Sequence, residues 1–196
     1  MAIKYQYNKV SMQELSKQLR IRESALPTLK SKESALRIVL KKEKNNLSRL
    51  EGMYNKKLNE VESFIRLWGE FPADVFKLNL VNLSVQKIAG VKAPVLGDLD
   101  IFVENFSLFG NPAWLMVGVE VLKEITKILC EIEVAKSRIE ILEYARKKTT
   151  QKVNLYEKVQ IPLYAEAIRK IKRYLEDVDN LEKSAQKITK ARQAGR

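Results

Sequence analysis

Outside its basic clusters, the chain has few side chains that could do chemistry: Asp98 and Asp100, two apart beside Gly97, and the lone thiol Cys130. Two carboxylates in a turn could touch a divalent cation, but calcium asks for roughly six to eight oxygens. Ordinary turn chemistry explains the pair as well. Cys130 lies between Leu129 and Glu131, and 196 residues contain no histidine to activate it. It reads as a packed or half-exposed structural thiol. The lack of histidine also removes Ser-His-Asp and Cys-His catalysis and the commonest metal ligand. A disulfide framework and a structural zinc site are excluded on the same counts. No GxGxxG and no GxxxxGK[ST] is present to cradle a phosphate. The expectation is a non-enzyme with no cofactor and no bound metal.

The remaining chemistry is positive charge. The formal net charge is +12, and the densest clusters are Lys41-Lys42-Glu43-Lys44, Arg146-Lys147-Lys148 and Arg169-Lys170-Ile171-Lys172-Arg173. Such clusters can neutralise phosphates. Here they alternate with glutamates, lack an aromatic platform and match no nucleic-acid-binding motif. A solvated or partner-facing helical surface is the favoured reading, and no nucleic acid is expected. A basic nucleic-acid-binding module and a general coiled-coil scaffold remain the alternatives. No apolar run approaches the roughly 20 residues a bilayer requires. Met1-Ala2-Ile3-Lys4-Tyr5 lacks the apolar segment of a secretory signal, so a cytoplasmic location is expected.

These side chains must be carried by a small set of elements. Gly69, Pro72, Gly90, Pro94, Gly97, Gly110 and Pro112 crowd one window of a chain with only 7 Gly and 5 Pro. That punctuation divides the chain into a helical arm over 1–68, an insert over 69–112 and a second helical arm over 113–196. Charge follows a similar division: residues 1–60 carry net +8, 61–120 net −3 and 121–196 net +7.

Both arms carry heptads. In the first, one seam position reads Met12, Leu19, Leu26, Glu33, Leu40, Leu47, Tyr54, Val61, Trp68. The other reads Leu15, Arg22, Leu29, Leu36, Glu43, Leu50, Lys57, Phe64. In the second arm, Ile125, Ile132, Ile139, Arg146, Val153 accompany Val121, Ile128, Ala135, Leu142, Thr149, Tyr156. The register then drifts across Pro162 and resumes with Ile161, Ile168, Leu175 and Tyr164, Ile171, Val178. Narrow stripes of this period call for one main partner each, and the nearest partner is the other arm, packed antiparallel. At 1.5 Å per residue, helices over 10–68 and 113–190 would measure roughly 90 Å and 115 Å. Pro27 predicts a kink near residues 23–27.

The insert reads as a β-hairpin. Leu83–Gln86 and Leu99–Glu104 alternate, with Gly90, Pro94 and Gly97-Asp98 between them. Phe71-Pro72-Ala73-Asp74 reads as a break followed by a short helix or loop. Asn111 is the expected N-cap of the second arm, with Pro112 at its first helical position. Trp68 and Trp114 flank the insert and are expected to pack where it meets the arms. Phe102, Phe106 and Phe109 either cap the same small core or form a docking surface.

Two stretches resemble a known family. Asn8-Lys9, Leu15, Leu19, Leu29-Lys30-Ser31-Lys32-Glu33 and Leu36 form the first. Thr149-Thr150-Gln151-Lys152-Val153-Asn154-Leu155-Tyr156-Glu157-Lys158-Val159-Gln160-Ile161-Pro162, followed by Ile168-Arg169-Lys170-Ile171 and Leu175-Glu176, form the second. With the arm lengths and insert position, they resemble the D subunits of the V-type (vacuolar/archaeal-type) rotary ATPases. The resemblance implies a mainly α fold, a long antiparallel two-helix coiled coil with a small hairpin-containing insert at its tip. It implies a non-catalytic central-stalk rotor shaft that passes torque between the nucleotide-binding ring and the membrane ion-translocating ring. The implied partners are the catalytic and non-catalytic ring subunits, the small central-stalk F subunit and the subunit that couples to the membrane ring. The location would be the cytoplasmic periphery of a membrane-bound complex. Arg20, Arg22, Lys30, Lys32, Arg169, Lys170, Lys172 and Arg173 are the candidate contacts to acidic loops of the ring.

Overall fold

The computed structural model describes residues 4–62, 64–72, 74–106, 110 and 112–195. Helix α1 spans Lys9–Glu62 and a single turn, α2, spans Ile65–Trp68. Strands β1 (Phe76–Ile88) and β2 (Val91–Val103) follow. Helix α3 spans Trp114–Asn154, a π-helical turn covers Leu155–Gln160, and α4 spans Ile161–Ala194. Two long helical arms and an antiparallel hairpin are the expected mainly α fold. The chain forms two compact units. One joins α1 up to Glu33 with everything from Lys148 onward, and the other holds Ser34–Lys147.

In the Ser34–Lys147 unit the heptad seam is the core. Leu36 and Leu40 of α1 pack with Leu142 of α3, and Leu50 packs with Ile128, Ile132 and Ala135. Rising numbers on α1 meet falling numbers on α3, so the pair is antiparallel. Leu36 and Leu142 are fully buried. Two of the charged residues that interrupt the heptad, Glu43 and Lys57, meet opposite charges across the seam. Arg138 bonds Glu43 at 3.0 Å, and Lys57 bonds Glu124 at 2.9 Å.

The other unit is also antiparallel, with Leu15 packed on Ala167 and Ile171, and Met12, Tyr164, Ile168 and Leu175 around them. Continuing the heptad from Tyr156 would place the next seam residues at 160 and 163. The apolar residues are instead Ile161 and Tyr164, one position later. The π turn at Leu155–Gln160 absorbs this extra residue, and the Ile161 N–H reaches back to the Tyr156 carbonyl. Pro162 lies just beyond it, where a proline has no N–H to give an α-helical ladder. Pro27 lies inside α1, which continues through it.

The hairpin differs from its sequence reading. The two strands pair from Phe76↔Val103 to Ile88↔Val91, leaving a two-residue turn at Ala89-Gly90. Both turn residues have positive φ, 49° and 76°, as a type I′ turn requires. Pro94 and Gly97-Asp98, expected between the strands, lie within β2. Pro94 is tolerated because β2 is an edge strand, and its carbonyl accepts a bond from Arg138 Nε at 3.0 Å. At Gly97 a Cβ would come within 3.1 Å of the Asn82 carbonyl oxygen, beside a shift of register. After Phe71-Pro72, Asp74 and Val75 form a turn, the loop alternative, whereas the short helix α2 precedes the break; Ala73, Phe109 and Asn111 lie outside the described residues. Pro112 comes two residues before the first helical residue, Trp114.

The hairpin leaves the helices at their ends and folds back along α3. Val103 and Phe106 lie against Met116–Lys123, and Leu96–Ile101 lie near Lys123 and Lys127. Pro94 meets Arg138, and Ala89 and Val91 pack on the cluster of Leu36, Leu40 and Leu142.

Candidate partner-binding site

All eight basic residues singled out from the sequence fall in the unit formed by the start of α1 and the chain from Lys148 onward. That unit holds 19 Lys/Arg against 9 Asp/Glu, net +10, while the Ser34–Lys147 unit holds 17 against 15, net +2. The positive charge is therefore concentrated in the parts of both arms that form this unit.

The structure sorts the eight by what they touch. Arg22 is half-buried. Its Nε donates to Gln160 Oε1 at 2.6 Å, and one terminal nitrogen donates to the Gln18 carbonyl at 2.9 Å and to Gln18 Oε1 at 2.7 Å. Its guanidinium carbon stands 4.5 Å from the Tyr164 ring centre and 5.9 Å from that of Tyr156. Lys30 Nζ bonds Glu157 Oε1 at 2.6 Å, and Thr150 Oγ1 donates to Glu33 at 3.4 Å. Tyr156, Glu157 and Gln160 all belong to the π turn.

Four further residues sit on α4. Lys170 holds Glu166 at 2.9 Å, and Lys172 faces Glu176 at 3.8 Å. The hydrogen bond that Lys170 donates to Glu166 raises the Lys170 pKa and lowers that of Glu166. Arg169 adds only its field to the Glu166 carboxylate. Arg20, Lys32, Arg169 and Arg173 are exposed, and no ion pair to them is seen among the described residues. The eight thus divide into two that stitch α1 to the chain opposite, two in pairs within α4, and four pointing outward. Sequence reasoning did not single out Gln160, Glu157 and Tyr164 as the partners of Arg22 and Lys30. The signal was the one-residue slip in the heptad next to Pro162.

A second surface lies where the helices of the Ser34–Lys147 unit end. Trp68, Phe71 and Trp114 form an aromatic triangle, with ring centres 5.5, 5.8 and 6.1 Å apart. Beside it a hollow of about 300 Å³ is lined by Val61, Phe64, Leu67, Trp68, Trp114 and Val121. Gly118 lets the rings in, because a Cβ there would sit 3.0 Å from the Trp114 ring. Trp114 and Trp68 meet at the junction expected of them.

Residues 11–191, which include the Arg22 cluster and the hairpin, match the family described as the D subunit of ATP synthase. The chain belongs to the family of ATP synthase D subunits. A Borreliella burgdorferi protein, named as the D subunit of a V-type ATP synthase, is 31% identical over 175 residues, covering 86% of each chain. The protein of the same name from Chlamydia pneumoniae is 27% identical over 157 residues, 78% of this chain and 75% of its own. That of Chlamydia trachomatis is 29% identical over 160 residues, 78% and 77% respectively. The ATP synthase D subunits are central-stalk subunits, so the chain is part of a multi-subunit complex. The scaffold and nucleic-acid readings are not favoured. No described helix is long and apolar enough to cross a membrane.

Proposed function

We propose that the chain is the rotor shaft of a V-type ATP synthase. It is non-catalytic and passes torque between the nucleotide-binding ring and the membrane ion-translocating ring. The family match over residues 11–191 carries this reading. Its partners are the catalytic and non-catalytic ring subunits, the small central-stalk F subunit and the subunit that couples to the membrane ring. It works at the cytoplasmic periphery of the membrane. The domains are two arms, 1–68 and 113–196, with the insert 69–112 between them.

The seam chemistry supports this role. Torque is lost if two helices slide past each other, and cross-seam bonds at fixed points resist sliding. Arg22–Gln160 and Lys30–Glu157 supply such points in one unit, and Glu43–Arg138 and Lys57–Glu124 in the other. The outward charges suit a shaft for a different reason. A rotor moves because successive states of its housing bind it differently. Exposed Arg20, Lys32, Arg169 and Arg173 offer weak, long-ranged attraction to acidic loops without deep anchoring.

The test is native purification of the tagged chain from its own cell's membrane fraction, read by mass spectrometry. Recovery of both ring subunits and the F subunit is expected. Recovery of nucleic-acid proteins alone, or of a homo-oligomer alone, overturns the reading.

A further inference from the structure

The hairpin's two strands are not equivalent. β2 lies against α3, with Ala93 buried and the Pro94 carbonyl taken by Arg138. β1 is the more exposed strand, and only Phe76, Val81 and Ile88 of its 13 residues are even half-buried. Among the described residues it pairs with no strand but β2. Leu80 and Val85 on it are 56% and 69% exposed, while Val81 and Leu83 line the hollow on α3. From Leu78 to Gln86 it carries no charge and no proline. Exposed strand edges are normally blunted by lysines, prolines or shortness. Here proline and most of the charges sit on the strand bonded to α3, as Lys92, Pro94, Asp98 and Asp100, and the long free edge of β1 is left open.

Charge indicates what covers it. Lys87 stands directly opposite Lys92 in the ladder, an unfavourable like-charge pair, and no carboxylate pairs with either among the described residues. Lys77, at the other end, meets only Asp74, loosely at 3.6 Å. A second copy of the chain fits badly. Antiparallel pairing about Asn82 would set Lys77 against Lys87 of the copy, and parallel pairing would set each lysine against itself. We propose that the free edge of β1 accepts an extended strand from another subunit of the complex. That strand is uncharged and apolar in its middle, with a carboxylate at the end that meets Lys87 and Lys92. Backbone bonds supply the affinity and alternate side chains the selectivity. The inference rests on the rotor reading only for the source of the strand.

Residue-resolved amide hydrogen exchange on the free chain and on the purified complex tests it. In the free chain, alternate amides between residues 78 and 86 exchange fast, because they point away from β2. In the complex those amides slow by at least about tenfold, while the amides bonded to β2 stay slow in both. A zero-length carbodiimide crosslink joins Lys87 or Lys92 to a carboxylate of a different subunit. Leu80→Lys keeps its helical circular dichroism and α1–α3 protection but loses the alternating protection in the complex. Three results overturn the inference: unchanged β1 exchange on assembly, uniform slowing without alternation, or crosslinks to a second copy. Recovery of the chain with no other subunit overturns the rotor reading as well, whereas recovery with partners and an open β1 overturns this inference alone.

Discussion

Arg22 occupies a seam position where a leucine would pack more simply. It is kept there by saturation: Gln160 and Gln18 accept its hydrogen bonds, and the Tyr164 face receives the planar cation. Ala89 is a residue-scale contrast, a non-glycine held at φ 49° in the type I′ turn. That backbone costs an L-residue about 1 kcal/mol, less for asparagine. Ala89→Asn is expected to stabilise the Ser34–Lys147 unit by about 0.5 kcal/mol, as a small rise in melting temperature. Cys130 belongs to this scale too. Burial raises its thiol pKa above that of a free thiol. At pH 8 its alkylation by iodoacetamide should therefore be several-fold slower than that of the unfolded chain. The sign follows from burial penalising the thiolate, so the unfolded chain ionises first as pH rises and stability falls above that range. Alkylation at the unfolded rate in native buffer would contradict the assignment. The sequence leaves Cys130 packed or half-exposed; it is half-buried, beside the hollow between α3 and the hairpin lined by Val81, Leu83 and Pro94.

At the scale of elements, the helical seam was legible because heptads are local. Leu36, Leu50, Ile128 and Leu142 are seam positions by spacing and core by burial. The hairpin was legible as a hairpin but not in its extent, because Pro94 and Gly97 read as strand breakers. Only tertiary contacts, Arg138 on the Pro94 carbonyl and Asn82 against Gly97, make them strand residues. The candidate site was legible as a basic cluster and illegible in its pairing. The partners sit 127 and 138 residues away along the chain, across a π turn visible only as a slip in register. Arg138 is the residue that joins three elements, α3, α1 through Glu43 and β2 through Pro94. Arg138→Ala leaves Glu43 largely buried without its cation, and about 3 kcal/mol of destabilisation is expected. Faster Cys130 alkylation at temperatures where the helices persist would show that the hairpin has lifted off first. Gly118→Ala reverses the usual helix rule. Alanine normally gains about 1 kcal/mol over glycine in a helix. Here its Cβ would meet the Trp114 ring at 3.0 Å, so a net loss of about 1–2 kcal/mol is expected from overpacking. Chemical denaturation gives the sign directly, and a gain in stability would mean that Trp114 moves aside freely.

For the whole molecule, the informative quantity is where the charge sits. Net +10 of the total +12 belongs to one compact unit, although both arms are basic when counted by sequence thirds. Some of the unit's 19 cations are paired internally, as in Lys30–Glu157 and Lys170–Glu166, and those pairs already cancel within the net figure. Of the candidate contacts, Arg20, Lys32, Arg169 and Arg173 point outward, are solvent-exposed and are therefore screened over about 10 Å at 0.1 M salt. If these four residues face acidic loops of the ring, binding of the chain to the assembled ring must weaken steeply as salt rises. Replacing all four with glutamate must weaken it at low salt and remove or invert that slope, while helicity and melting temperature stay near the parent's. Replacing Arg22 and Lys30 instead should lower the melting temperature and leave the slope largely intact, because those two side chains hold α1 to the chain opposite it. ATP-driven ion pumping measured beside ATP hydrolysis completes the test. The four-residue variant should hydrolyse with reduced pumping per ATP, and unchanged coupling together with an unchanged salt slope would show that the outward charges are only a solvated face.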